Sequence, residues 1–233
     1  MKPLQQISVF DLLQNNEKEV RPIRYEDAIS FVFAIHYSRR MPCVTHAFGL
    51  FLNGEMIGVV TYGIPASPYL CIGIAGKEEK NNVLELNRLA LLPKFNGGGW
   101  NHASYLVSHS LKMLPNRTFV VSYADTAWTH VGYVYQACNF LYTGLSASRT
   151  DVHNPSGKHC RHQEQSNKDM RQTRSRKHRY IYLVGDRRTR KDMRKKLKYP
   201  VLDKYPKGDE IHYDIANPQI IKPLTVYERR TEA

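Results

Sequence analysis

The chain has no apolar run of about 18 residues or more, which excludes an ordinary membrane-spanning helix. Its four cysteines, Cys43, Cys71, Cys138 and Cys160, show no paired spacing. That argues against a disulfide framework and for reduced thiols. Residues 1–20 lack a basic-then-apolar leader and turn acidic early, so no signal peptide is read and the cytoplasm is the expected compartment. A hydrophobic fraction of 42% excludes a chain disordered throughout.

What is abundant is positive charge, and it is concentrated. The net charge is +13, and residues 149–198 alone hold 17 Lys/Arg against 5 Asp/Glu. The remainder is almost neutral, with 17 Lys/Arg and 16 Asp/Glu. A near-neutral body with one basic segment suits a polyanion, and nucleic acid is the first candidate.

Apolar periodicity predicts a helix over Glu26–His36, with Ala28, Phe31, Val32 and Ile35 on one face. Asn53-Gly54 between apolar runs predicts a hairpin of 47–52 with 55–63. Residues 64–80 read as a loop, 83–92 as a strand, 100–114 as a helix and 118–123 as a buried strand. A helix over 129–139 and strands at 140–145 and 179–184 follow. The expected fold is α/β (α+β): one domain over 1–233, with a mixed central sheet flanked by helices. Residues 147–178 form a long basic insertion before the last strand and 187–198 a basic helix, both expected as nucleic-acid-binding elements, and 200–233 form a segment wrapping the surface.

Several stretches carry chemistry. Asn96-Gly97-Gly98-Gly99-Trp100-Asn101 lies between a strand and a helix, where successive N–H groups can cradle a phosphate. Ser122, Tyr123 and Asp125 sit at a strand's end, where α/β folds place reactive groups. Asp125 there reads equally as a base, a metal ligand or a helix cap. Tyr135 reads as an acid or as a core residue. His36, Tyr37, Arg39 and Arg40 follow a helix end, offering a base or ligand beside anion-binding groups. His153, His159, Cys160 and His162 fit no standard zinc module. Arg171, Arg174, Arg176, Lys177, His178 and Arg179 mix cations with a histidine ahead of Tyr180 and Tyr182, either of which could stack on a base.

These stretches together resemble GNAT-type N-acyltransferases through ELNRLALLP, NGGGWNHAS, VVSYAD and GYVYQACNF. More narrowly, IHYSRRMP, GVVTYG, VVSYADTAWTHVGYVYQACNFLYTGLS and RSRKHRYIYL resemble the Mom DNA-modification family of Mu-like bacteriophages, over roughly residues 24–200. The resemblance implies a transferase that converts adenine in DNA to N6-carbamoylmethyl (acetamido) adenine and so protects phage DNA from restriction in the host cytoplasm. It implies a GNAT-like fold. His36 and Tyr37 match the family's HY pair, and Ser122, Tyr123 and Asp125 its SYAD stretch. Leu89, Leu91 and Asn96–Asn101 occupy the place of the coenzyme site, although the turn lacks the Arg or Gln that opens the usual acetyltransferase pattern. The implied cofactors are acyl-coenzyme A (acetyl-CoA) or a glycine-derived donor, and iron held by His36, Tyr37 and Asp125.

The target amine is paired within the duplex, so the partner expected is double-stranded DNA with the adenine flipped out. Tyr62, Tyr69, Tyr123 and Trp128 are candidate walls for that base. No membrane partner is expected, and a homodimer is admitted. The alternatives are an acyltransferase acting on tRNA or another RNA, and a non-catalytic nucleic-acid-binding protein.

Overall fold

The computed structural model describes residues 17–36, 42–96, 101–152, 171–208 and 220–221. Its elements in chain order begin with β1 (Lys18–Pro22), α1 (Tyr25–Ile35), β2 (His46–Leu52), β3 (Glu55–Gly63), α2 (Pro68–Ala75) and β4 (Val83–Leu91). There follow α3 (His102–Lys112), β5 (Thr118–Asp125), α4 (Tyr133–Ala137), β6 (Leu141–Leu145), β7 (Thr150–Val152) and β8 (Arg171–Thr173). The last are β9 (Lys177–Val184), α5 (Arg187–Lys196) and β10 (Ile220–Ile221). A mixed seven-stranded sheet has the order β1-β2-β3-β4-β5-β9-β6, and a small sheet the order β10-β8-β7. The expected mixed α/β class is the observed one. Among the described residues no helix is long and apolar enough to cross a membrane.

The hairpin forms where the sequence places it. Asn53 and Gly54 have φ of 50° and 84°, the paired left-handed conformation of a two-residue turn. Helix α1 buries Ala28 and Val32 against Ala47 and Val59. Helix α3 buries Leu106, Val107 and Leu111.

Four local expectations are corrected. Residues 64–80 are not all loop, because Pro68 starts α2 at a position that needs no N–H and Gly76 ends it at φ 86°. The helix expected over 129–139 shrinks to Tyr133–Ala137. Thr129 and Gly132, at φ 55° and 80°, break its first turn. β1 carries no strand signal in the sequence, because KEVRP has charged residues and no apolar alternation, as edge strands often do. Within the basic insertion β7 and β8 pair antiparallel, and β9 starts at Lys177 rather than Arg179.

The chain divides into two compact units. The first comprises residues 1–122, 134–141 and 181–200, with Leu50, Val60, Phe119 and Phe140 in its core. The second comprises 123–133, 142–180 and 201–233. In it the Tyr142 and Tyr180 rings lie 5.2 Å apart, and the buried Tyr180 hydroxyl donates to the Val131 carbonyl.

Candidate functional site

In the first unit the sheet is irregular at one place. β3 and β4 pair Thr61 with Arg88 but Tyr62 with Leu86, so Asn87 is the extra residue of a bulge. β4 pairs with the parallel β5 through Val83–Phe119, Leu84–Val120 and Glu85–Val121. The bulge turns the Asn87 side chain into a clamp. Its carbonyl oxygen accepts from the Thr61 hydroxyl at 2.6 Å, and its amide donates to the Cys43 carbonyl at 2.9 Å. Gly63 permits this crossing, since a Cβ there would stand 1.8 Å from the Cys43 carbonyl oxygen. The backbone at Cys43 is thus pinned to the bulge.

His36 follows the last residue of α1 and is half-buried. Burial, and secondarily the positive field of Arg88, lower its pKa to about 4. At neutral pH the imidazole is therefore uncharged and able to accept a proton. Arg88 is anchored on the bulge, donating to the Asn87 carbonyl at 2.6 Å. Neither Asn87 nor Arg88 stood out in the sequence, because a bulge is a property of pairing between strands.

Beyond β4 the coenzyme stretch is described only at its ends. Leu89 and Leu91 lie on β4, and Leu91 is buried over Gly58. Asn96 closes a 3-10 turn, and Asn101 is the N-cap of α3. Gly97, Gly98, Gly99 and Trp100 lie outside the described residues, as do Tyr37, Arg39, Arg40 and the histidine cluster at 153–162. His102 opens α3, edge-on to Phe95 at 5.6 Å. Burial, with a lesser contribution from Lys18, lowers its pKa.

In the second unit Asp125 ends β5. One carboxylate oxygen accepts the Ala127 N–H at 3.0 Å, and the other lies 2.8 Å from the Lys177 ammonium. Burial alone would raise its pKa, but Lys177 and the Ser175 hydroxyl outweigh it, and the group stays ionised. Asp125 thus caps a short turn while also carrying a charge pair. Ser122, at the end of its strand's run in the first unit, is buried and donates to the Leu86 carbonyl at 3.1 Å. That bond assigns it a structural place rather than a reactive one. Tyr123 is half-buried on the same strand, and Tyr135 is half-buried on α4.

Of the candidate base walls, Tyr62 is corrected. It is fully buried, and its hydroxyl lies 2.6 Å from that of Ser110. Tyr69 is 84% exposed and Trp128 46%. The basic run of β9 is also placed differently from a uniform phosphate-facing row. His178 is 1% exposed, with Nδ1 2.8 Å from the Tyr142 hydroxyl. Arg176 donates to the Ser146 carbonyl at 2.8 Å, and Arg179 to Thr143 at 2.9 and 3.0 Å. Arg174 is exposed, and Arg171 is placed only by its backbone in β8. Burial accounts equally for Tyr180, whose ring belongs to the core of this unit.

The family model of the Mom protein family matches residues 17–207. The chain belongs to the Mom protein family. It is also 30% identical over 123 residues to the methylcarbamoylase Mom of Escherichia phage Mu, a match covering 48% of each chain. The chain thus spans about half the length of the curated relative it matches. Solved structures to which it is similar include an N-acetyltransferase from Staphylococcus aureus Mu50, at TM-score 0.44 and 14% identity, covering 72% of this chain and 99% of that one. Another is the ribosomal-protein-S18-alanine N-acetyltransferase of Escherichia coli, at TM-score 0.43 and 11% identity, covering 72% and 95%. Scores of this size carry no functional weight. His36, Asn87, Arg88, Asp125 and Lys177 all fall within the stretch matched by the Mom family.

The iron expected from the resemblance needs ligands with lone pairs to give. Asp125 accepts the Ala127 N–H and pairs with Lys177, and Tyr37 lies outside the described residues. Among the described residues no group of three or more His, Cys, Asp or Glu is placed to hold a metal ion. As they stand, the described donors do not fit such a centre.

Proposed function

We propose that this chain is a DNA-modifying transferase that places a carbamoylmethyl group on the N6 amine of adenine. The observation that carries the reading is His36, a half-buried imidazole uncharged at neutral pH, in a Mom-family chain similar to a methylcarbamoylase.

The chemistry asks for such a group. The lone pair of the adenine amine is delocalised into its ring, so the amine is a weak nucleophile. When the nitrogen–carbon bond forms, one N6 proton must leave and the donor must release its leaving group with the bonding pair. A neutral imidazole can accept that proton, whereas a charged one cannot. The positive field of Arg88, anchored on the bulge, helps to keep that imidazole uncharged. Tyr135 is assigned the return of a proton to the leaving group.

The donor is a glycine-derived carrier whose methylene carbon bears the leaving group, since transfer from the thioester of an acyl-coenzyme A would give an N6 amide instead. The N-terminus of α3, which follows the glycine-rich sequence at 97–99, supports a phosphate-bearing donor, because a helix N-terminus favours anions. The target adenine is flipped from the duplex, because its N6 amine is paired inside it. Asp125 and Lys177 hold the turn that presents Trp128.

Restriction sensitivity tests the reading. DNA from cells expressing the chain resists enzymes whose sites contain adenine, and His36→Ala restores cutting. Full cutting with the wild type, at confirmed expression, contradicts a DNA substrate. A new ribonucleoside in tRNA under the same conditions would move the substrate to RNA.

A further inference from the structure

Helix α5 carries seven basic residues in ten positions, and the structure sorts them into two sets. Lys196 faces the fold. Its ammonium lies 2.6 Å from Glu79. Glu79, with a side chain 6% exposed, also holds Arg117 at 2.5 Å and accepts the Asn82 amide at 2.7 Å. Arg117 in turn reaches Asp192 of α5 at 2.9 Å. Met193 is fully buried on the same side. The next turn of chain is tied down as well, since the Lys198 N–H donates to the Ile74 carbonyl at 2.9 Å.

The other six, Arg187, Arg188, Arg190, Lys191, Arg194 and Lys195, are exposed. At about 100° per residue they fan over about 160° of the circumference, with the centre of the arc about 140° from Met193. The only acids of this segment are engaged, Asp186 as the N-cap accepting from Thr189 and Asp192 with Arg117.

This arrangement works against the helix itself. Arg187 and Arg188 stand in the first turn, at the positive end of the dipole. Neighbours three and four apart on the exposed face repel one another. A helix shaped only for its own stability would carry acids there. A polyanion lying along that face would neutralise both penalties.

We infer that the outward face of α5 is a docking face for the phosphate backbone of duplex DNA, and that Glu79 is the positioning residue that fixes it. The inference rests on the reading of this chain as one that works on DNA. To the basic helix expected from the sequence it adds which cations form the docking face, and it names Glu79, a residue that the sequence did not single out.

Fluorescence anisotropy of the full chain with a labelled DNA duplex of arbitrary sequence, without donor, tests it. The variant Arg190→Ala/Lys191→Ala/Arg194→Ala raises the dissociation constant at least tenfold at ~0.1 M salt and lowers the salt slope by about 2.7, or about 0.9 per phosphate contact. The equal-charge control Lys112→Ala/Lys204→Ala/Lys207→Ala, all exposed, leaves the slope within about one unit of wild type. Equal losses in both variants would reduce the effect to bulk charge and overturn the inference. So would a loss on an RNA duplex with none on DNA.

Glu79→Gln separates positioning from charge. It makes the chain more positive, so charge alone predicts tighter binding. Positioning predicts weaker binding, with the circular dichroism of the fold retained and Glu79→Asp intermediate. Tighter binding by Glu79→Gln would overturn the role of Glu79. None of these readouts needs modified DNA, so their failure is distinct from failure of the restriction assay.

Discussion

Lys177 of β9 places its ammonium 2.8 Å from the Asp125 carboxylate at the end of β5. Asp125 is thereby held ionised although it is half-buried, and the turn that follows it is fixed. Removing the cation leaves a buried charge with fewer partners. Lys177→Met is expected to raise the Asp125 pKa and to cost roughly 2 kcal/mol. The pKa is checked by NMR titration and the cost by urea unfolding. An unchanged carboxyl titration would contradict the pairing.

His36 predicts an unusual acid limb. Its pKa is lowered to about 4 by burial and then by Arg88. The unfolded chain therefore binds its proton first as pH falls. Stability declines between about pH 6.5 and 4 and is flat in this contribution below that. The modification rate, if His36 is the base, keeps its value through pH 6 and falls only towards pH 4–5. A midpoint near 6.5 in a pH–rate profile would contradict a desolvated imidazole.

Glu79 predicts the opposite kind of linkage. Bonds from Arg117 and Lys196 lower its pKa to about 2, outweighing its burial. Its contribution is complete above the ordinary carboxyl range and is lost as pH falls through about 2. Glu79→Gln removes the acid end of that dependence. It costs roughly 3 kcal/mol at pH 7, because Arg117 and Lys196 lose their shared partner. Unfolding at pH 3 and at pH 7 checks this, with the difference between variants smaller at the lower pH.

Gly63 predicts a steric effect on the site. A methyl group there meets the Cys43 carbonyl oxygen and carbon, which are backbone and cannot swing away. Gly63→Ala is expected to cost about 1–3 kcal/mol and to displace the backbone at Cys43. The measured outcome is a lower melting temperature together with reduced modification. Asn87→Ala removes the clamp without a clash, so it lowers modification at a smaller stability cost.

The fold was legible where local chemistry decides it. Asn53-Gly54 announced the hairpin, and the spacing of Ala28 and Val32 announced α1. Where tertiary pairing decides, the sequence was silent. β1 is polar because it lies at an edge, and Asn87 bulges only because β3 fixes its register. The basic run over 171–179 shows the same limit. Its composition suggested a phosphate-facing row, yet Arg176 and Arg179 bond inward and His178 is buried, while α5 presents the outward charge. Asp125 was visible as a candidate, but Lys177 as its partner was not, because 52 positions separate them in the chain.

The central claim is tested most directly by mass spectrometry of nucleosides digested from the DNA of cells expressing the wild type and Asp125→Ala. The account predicts a deoxyadenosine heavier by one carbamoylmethyl group in the wild type, and its loss in the variant. An unaltered deoxyadenosine pool in the wild type, with the protein present and folded, would contradict it.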